Sequence, residues 1–515
     1  MLRVLLAACL LPALHAQPSG LQVQNAGGAP EQRPPNVLFL LADDLGWTDV
    51  GFNNPDTFYD TPSIDRIAAE GMRFTAAYAA CPVCSPTRAS LMTGRHPARL
   101  QTTDYFGAPQ PDAILAAGRA GKKRLGRFQR MPLLPAPYVD RLVHEEVTVA
   151  EVLRGRGYAT FFAGKWHLGG EGFDPTTQGF DVNVAGHHRG GPYGRGKYFH
   201  PFDMPGLASE EGDHLPARLA EEACAFIERS ADRPWLCYLS FYSVHTPLMG
   251  REDLVERYRR KREDLGLEAR WGQEGPRKVR LVQEHAVYAA MVAAMDEAVG
   301  EVLGTLDRLG LADDTIVVFF SDNGGLSTSE GHPTSNLPLR AGKGWLYEGG
   351  VREPCAVRWP GRVEAGSKCD APIQSIDFLP TLAAACDAPL DAERPVDGVD
   401  LLPVLEGAGE LPERALHWHY PHHGNQGGSP GGAILDGGWK WVELYGEGGR
   451  GELYRLADDP GEARDLAAAE PERAARMRSD LAAWRESVGA TMPAPNPLVG
   501  AATSDGDAAP GRGGR

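Results

Sequence analysis

Four continuous apolar runs constrain the fold of this chain more than any other feature. Residues 37–41, 158–163, 235–242 and 315–320 are each of strand length, and each ends in polar groups. A strand that is apolar at every position must be covered on both faces, which is the pattern of a parallel sheet between layers of helices. The polar ends are Asp43 and Asp44, Lys165 and His167, His245, and Asp322 and Asn323. Helical patterns lie between the runs. Thr61 and Pro62 open one that carries Ile64, Ile67 and Ala68 and closes at Gly71, with proline first and glycine after. Residues 288–306 place Tyr288, Met291, Met295, Val299, Val302 and Leu306 on one stripe, with Gly310 beyond the end. Strands alternating with helices predict an α/β fold with a mainly parallel sheet, and ligands of open α/β sheets sit beyond the carboxyl ends of the strands. The polar groups collect at that edge.

After Thr381 the texture changes to short segments, 433–435, 439–442 and 452–454, followed by a helix with Pro471 in its first turn and Ala474, Met477, Leu481 and Trp484 on one face. This predicts a small antiparallel sheet with a helix. The N-terminus has the pattern of a secretion signal: Arg3, an apolar stretch over 4–14 and the small residue Ala16 before a polar, proline-bearing segment. Residues 6–9 also fit a lipoprotein box ending at Cys9, the less favoured alternative. The expected organisation is a signal peptide over 1–16, a leader over 17–35, a large α/β domain over 36–404, a C-terminal subdomain over 405–487 and a disordered tail over 488–515, exported as a periplasmic or secreted protein without a membrane-spanning segment. A formal charge of −16 argues against a surface that grips nucleic acid or anionic membrane as a whole, so any anionic substrate must be met locally. Eight cysteines in 515 residues are too sparse for a disulfide framework.

The most specific local sequence is Cys84-Ser85-Pro86-Thr87-Arg88. Pro86 suits the first turn of a helix, which puts Cys84 at a helix N-terminus, where backbone N–H groups favour an anion. Read alone, Cys81 and Cys84 also form a C-x-x-C that fits a redox pair or half a zinc site, and a structural thiol fits too. Asp43, Asp44, Asp322 and Asn323 offer only oxygen ligands, which suit Ca²⁺ or Mg²⁺ over zinc or copper, although acidic pairs at strand ends also serve as turns and caps.

In these residues the chain resembles the type I sulfatases of the alkaline-phosphatase superfamily, whose C-x-P-x-R signature is matched by Cys84, Pro86 and Arg88. The settings of Lys165 and Lys343 resemble later signatures of that family, and the likeness extends over about residues 36–485. The resemblance implies an alkaline-phosphatase-like large domain and a smaller domain with a four-stranded antiparallel sheet. It implies that Cys84 is oxidised by a formylglycine-generating enzyme to formylglycine, whose hydrate attacks sulfur with one hydroxyl and expels sulfate through the other. It assigns Asp43, Asp44, Asp322, Asn323 and the modified Cys84 to one divalent ion, Ca²⁺ with Mg²⁺ as the alternative. Arg88 would stabilise the ionised hydrate, Lys165 and Lys343 would hold sulfate oxygens, His167 would serve as base, and His245, with Lys343, as acid for the departing alcohol.

Three further segments are candidates for the substrate pocket: the basic stretch Arg119, Lys122, Lys123, Arg124, Arg127 and Arg130, and two His-bearing loops with His187, His188 and Arg189, and with His417, His419, His422 and His423. A solvated charged loop and exposed histidines without a ligand are the plainer readings of these. The expected function is sulfate monoester hydrolysis on sulfated carbohydrates. A phosphonate monoester or phosphodiester hydrolase of the same superfamily, and an inactive relative that binds sulfated glycans, are the alternatives.

Overall fold

The computed structural model describes residues 33–120 and 125–499. The signal sequence, Cys9, most of the leader, Lys122, Lys123 and Arg124, and the chain after Val499 lie outside the described residues.

The apolar runs become the central strands of one nine-stranded sheet. Its strands are β1 (Asn36–Ala42), β2 (Met72–Tyr78), β3 (Ala159–Gly164), β4 (Val182–Val184), β5 (Trp235–Ser240), β6 (Thr315–Ser321), β7 (Arg352–Arg358), β8 (Ser367–Cys369) and β9 (Ile373–Gln374). Across the sheet the order is β8, β2, β7, β6, β1, β5, β3, β4, with β9 also beside β2. Only β7 runs against its neighbours, β2 and β6; every other pairing is parallel. The sheet is therefore mixed but mainly parallel, as the unbroken apolar runs predict.

Successive residues of these strands enter opposite layers. Leu38, Leu40, Leu239, Val317 and Phe319 face one core with the helices α1 (Pro62–Ala69), α3 (Leu215–Arg229) and α4 (Ala286–Leu309). Val37, Phe39, Leu41, Tyr238, Val318 and Phe320 face the other, with α2 (Cys84–Thr93) and the helix Phe378–Ala385. Removing such a side chain from water contributes about 1.5–3 kcal/mol, so a single inward charge would oppose a large part of one strand's burial. α4 carries the predicted stripe and ends at Gly310, whose φ of +68° is the left-handed cap that stops the helix.

The C-terminal segment forms a four-stranded antiparallel sheet in chain order: β10 (Leu416–Tyr420), β11 (Gly431–Asp436), β12 (Trp439–Leu444) and β13 (Arg450–Arg455). One face holds the last helix, Pro471–Ser487, through Ala474, Met477 and Leu481 against Ile434, Trp441 and Leu453. The other packs Trp418, Tyr420 and Val442 on Tyr78, Val83 and Trp345, and the Trp418 indole donates to the Ala79 carbonyl at 2.7 Å. His417 and His419, expected in a loop, are strand residues. His417 stacks on Trp484 at 4.6 Å, and His419 bonds Tyr445 and the Thr491 carbonyl. Their alternation with Leu416, Trp418 and Tyr420 is the two-residue period of a strand.

Residues 488–499, read from composition as the start of a disordered tail, are tied down. Ala494–Pro495 pairs with Leu133–Leu134, and the buried Asn496 amide donates to the carbonyls of Phe128 and Met131 at 2.9 Å each. Backbone pairing and one satisfied amide hold this segment, and neither leaves a compositional trace. The seven described cysteines are buried free thiols.

Candidate active site

Because β1, β3, β5 and β6 are parallel, their carboxyl ends deliver side chains to one edge of the sheet. Asp43 and Asp44 follow β1, Lys165 and His167 follow β3, His245 lies beyond β5, and Asp322 and Asn323 follow β6. Asp44 turns the chain with φ of +65°, a conformation Asp tolerates better than most residues. At Gly164 a Cβ would sit 1.8 Å from the Ser240 carbonyl oxygen, so only glycine lets the chain turn Lys165 out of the sheet there. Cys84 is the first residue of α2, with Pro86 in the first turn as expected.

All ten residues converge. Lys165 Nζ donates to Asp43 Oδ2 at 2.6 Å, and Lys343 Nζ to Asp44 Oδ1 at 2.5 Å while lying 3.3 Å from Cys84 Sγ. Cys84 Sγ is 3.7 Å from Asp43 Oδ1. Arg88 grips Asp322 Oδ2 through Nε (2.8 Å) and a terminal nitrogen (2.7 Å), and its other terminal nitrogen donates to the Lys165 carbonyl and Ser240 Oγ, both at 2.7 Å. Asn323 Nδ2 donates to Asp44 Oδ1 at 2.8 Å. His245 Nε2 lies 3.8 Å from Asp44 Oδ2, and His167 Nε2 is 3.1 Å from the Phe106 carbonyl oxygen. All ten are buried, the two aspartates of the first pair completely.

Burial and crowding set the protonation states. Burial, reinforced by Asp322 and Asp44 and opposed by Lys165, pushes the Asp43 carboxyl up to about 8. Burial also acts on Asp44, but Lys343, His245 and Lys165 outweigh it and hold that carboxyl below its usual range. Burial pushes the Cys84 thiol up to about 12 despite Lys165 and Lys343, so as an unmodified thiol it is neutral and a weak nucleophile at pH 7. His245 is lowered to about 4 by burial against the pull of Asp44, and His167 falls well below its ordinary value through burial, Lys165 and Arg88. Both imidazoles are neutral here.

The donors suit a hard cation. Ligand atoms of Asp43, Asp44, Cys84 and Asp322 lie within 4.8 Å of one another. Among the described residues, nothing hydrogen-bonds to the buried acceptors Asp44 Oδ2 and Asn323 Oδ1. Orphaned oxygens beside three crowded carboxylates are what a divalent ion would satisfy.

Above Cys84 opens a cavity of about 340 Å³. Cys84, His167, His245 and Lys343 form part of its wall, and Tyr105, Phe106, Tyr193, Glu330, Asn425 and Gln426 form much of the rest. None of these last six stood out in the sequence. The expected His-bearing loops do reach the cavity, but through other residues: the first through Gly190 and Tyr193, the second through Asn425 and Gln426. His187 lies against Tyr242, Arg189 pairs with Asp203, and His422 bonds Thr103. Arg119 and Arg130 are exposed to solvent, away from the lining.

Comparison with known proteins shows the family. The sulfatase family model matches residues 35–388, and the model of the N-sulphoglucosamine sulphohydrolase C-terminal region matches 341–486. The chain is 33% identical over 401 residues to arylsulfatase A of Homo sapiens, covering 72% of this chain and 68% of that one. It is 30% identical over 523 residues to a sulfatase of Formosa agariphila, covering 87% and 88%. Among solved structures, Ps i-CgsB in complex with k-i-k-neocarrahexaose superposes with a TM-score of 0.70 at 25% identity, covering 88% of this chain and 93% of that one. With the alkaline-phosphatase-like sheet, the family match over most of its length and these relatives, the chain belongs to the type I sulfatases of the alkaline-phosphatase superfamily, which are sulfuric ester hydrolases.

Proposed function

We propose that this protein hydrolyses sulfate monoesters of carbohydrates, using formylglycine made from Cys84 and one divalent cation, Ca²⁺. The observation that carries the reading is the meeting of ten side chains from separate segments around Cys84, at the floor of a cavity large enough for a sugar. Its relatives include the N-acetylgalactosamine-6-sulfatase of Canis lupus familiaris, 32% identical over 362 residues, and a structure solved with a neocarrahexaose, which support a carbohydrate substrate.

A neutral, buried thiol explains why Cys84 needs modification: the hydrated aldehyde supplies both an attacking hydroxyl and a second hydroxyl through which sulfate is expelled. Asp43, Asp44, Asp322 and Asn323 would hold the cation, which supplies positive charge opposite the sulfate oxygens. Arg88, Lys165 and Lys343 balance three carboxylates in formal charge, so a divalent ion leaves the site with two positive charges for an anionic ester and the charge that develops on transfer. His167, neutral and lining the same cavity as Cys84, would serve as the base. His245, 3.8 Å from Asp44 Oδ2, would pass a proton to the departing alcohol, with Lys343 as the second donor.

Maturation then requires a formylglycine-generating enzyme, and the secretion-type N-terminus supports export to the periplasm or medium. No helix of the described residues is long and apolar enough to cross a membrane. Mass spectrometry of the Cys84 peptide should show the aldehyde, and Cys84→Ala should abolish aryl sulfate turnover. Full activity in that variant overturns the reading, and a clear preference for phosphate or phosphonate esters would move it to the superfamily's phosphorus chemistry.

A further inference from the structure

The cavity has a wall that the sulfate chemistry does not use. Glu330 is the single acid among its lining residues, and it comes from a loop apart from every strand end. Asn425 Nδ2 and Gln426 Nε2 both donate to its Oε1, at 2.9 and 2.8 Å. Among the described residues no hydrogen bond reaches Oε2. The side-chain carbonyl oxygens of Asn425 and Gln426 are buried and without a donor as well. Glu330 and His332 both adopt left-handed φ, +52° and +51°, on either side of Gly331, and for non-glycine residues that conformation costs about 1 kcal/mol or more each. The loop therefore holds its carboxylate in place against a backbone preference.

Aromatic rings complete the setting. Tyr193 is 44% exposed, and its ring lies edge-on to His245 with centroids 6.1 Å apart. Phe106 is packed against His167 on another part of the wall. An exposed ring beside a polar wall is the arrangement that takes the apolar face of a pyranose while hydroxyls meet the acceptors. A carboxylate is a strong acceptor for a hydroxyl and repels a second anion, so one residue supplies both selection and rejection.

Resting on the sulfatase reading above, we infer that Glu330 is a specificity-determining residue: it accepts a hydrogen bond from a hydroxyl of the sugar that carries the scissile sulfate, with Tyr193 against that sugar's face. The preferred sugar is neutral apart from its one sulfate, and uronic acids and sugars with a second sulfate facing this wall are excluded.

The test compares matured wild-type protein, with the Cys84 aldehyde confirmed by mass spectrometry, with Glu330→Gln, Glu330→Ala and Tyr193→Ala. Substrates are methylumbelliferyl sulfate, neutral hexoses and N-acetylhexosamines carrying one sulfate, and the same sugars carrying a second sulfate or a carboxylate. The readout is kcat/KM for each sugar divided by kcat/KM for the aryl sulfate, so that a general loss of folding or maturation cancels. Glu330→Ala should lower this ratio about 10- to 100-fold for the neutral sugar, the effect of losing a charge-assisted hydrogen bond. Glu330→Gln should lower it less, and should raise the relative turnover of doubly anionic sugars. Tyr193→Ala should raise KM for sugars more than for the aryl sulfate. Ratios unchanged in both Glu330 variants, or wild-type turnover of aryl sulfate with no neutral sugar accepted, overturn this inference while leaving the sulfatase reading standing. Absence of any sulfate ester turnover by the matured protein removes both.

Discussion

Arg88 and Asp322 form a buried two-point contact, Nε and a terminal nitrogen of the guanidinium meeting the same carboxylate oxygen at 2.8 and 2.7 Å. The contact joins the helix that begins with Cys84 to the turn after β6, and so fixes the spacing between the nucleophile position and a proposed cation ligand. Lysine keeps the charge but has no fork to hold Asp322, the Lys165 carbonyl and Ser240 together. Arg88→Lys should therefore lower kcat for an aryl sulfate by about 10²- to 10³-fold, the scale of losing one preorganised donor. Steady-state kinetics check this; a loss under tenfold contradicts the role given to the guanidinium.

The orphaned oxygens of Asp44 and Asn323 lead to a second expectation. Dialysis against a chelator should abolish aryl sulfate turnover, and Ca²⁺ should restore it. An ion that binds only the folded protein at a hundred times its Kd adds about 2.7 kcal/mol, a rise of about 3 °C in Tm for a chain of this size. Calorimetry with and without Ca²⁺ should show that rise in the native protein and none in Asp322→Ala. Full activity after exhaustive chelation contradicts a cation-dependent site.

What the sequence made legible follows from where each residue sits. Asp43, Lys165, His245 and Asp322 stand directly beyond apolar runs whose length and continuity identify them as parallel strands, so topology alone predicts that they share an edge. Cys84 is legible because Pro86 marks a helix start, and Arg88 through the resemblance of Cys84, Pro86 and Arg88 to the sulfatase signature. Tyr193, Glu330 and Asn425 carry no such marker. They lie in glycine-rich loops without a period, and only tertiary placement brings three distant loops to one cavity. The fourth strand of the small sheet was readable in principle, since Leu416, Trp418 and Tyr420 alternate with the two histidines, but histidines invite a ligand reading that hides the period.

The seam between the two sheets contains an ion cluster that should govern stability. Lys440 Nζ lies 2.8 Å from Glu348 Oε1 and 2.9 Å from Glu462 Oε1, with all three side chains fully buried. Removing the ammonium leaves Glu462 without its cation and Glu348 with only Tyr78 and Arg352 on its other oxygen, a loss of about 3–5 kcal/mol for breaking a buried pair. Lys440→Met should lower the midpoint of urea unfolding markedly. The triple variant with Glu348→Gln and Glu462→Gln should recover much of it, because it no longer buries an uncompensated charge. Equal midpoints in wild type and Lys440→Met would show that the cluster contributes nothing net.

Asp296 offers a pH-dependent test remote from the site. It projects from α4 and accepts hydrogen bonds from the Ser63 and Ile64 amides, at 3.1 and 2.8 Å, at the start of α1. Burial pushes its carboxyl up to about 6, against the opposing pull of those two N–H groups, from an unfolded value near 3.8. Between these two values the folded chain holds a proton that the unfolded chain has released, so unfolding becomes easier as pH rises through this window. The difference amounts to about 3 kcal/mol, fully expressed above pH 6 and absent below pH 3.8. Asp296→Asn keeps one acceptor and cannot ionise. Relative to that variant, the native protein should lose stability between pH 4 and about 6 and run parallel to it from about 6 to 8, as followed by urea midpoints at each pH. Curves parallel over the whole range would mean that the two amides hold the carboxylate charged in the folded state as easily as water does in the unfolded one.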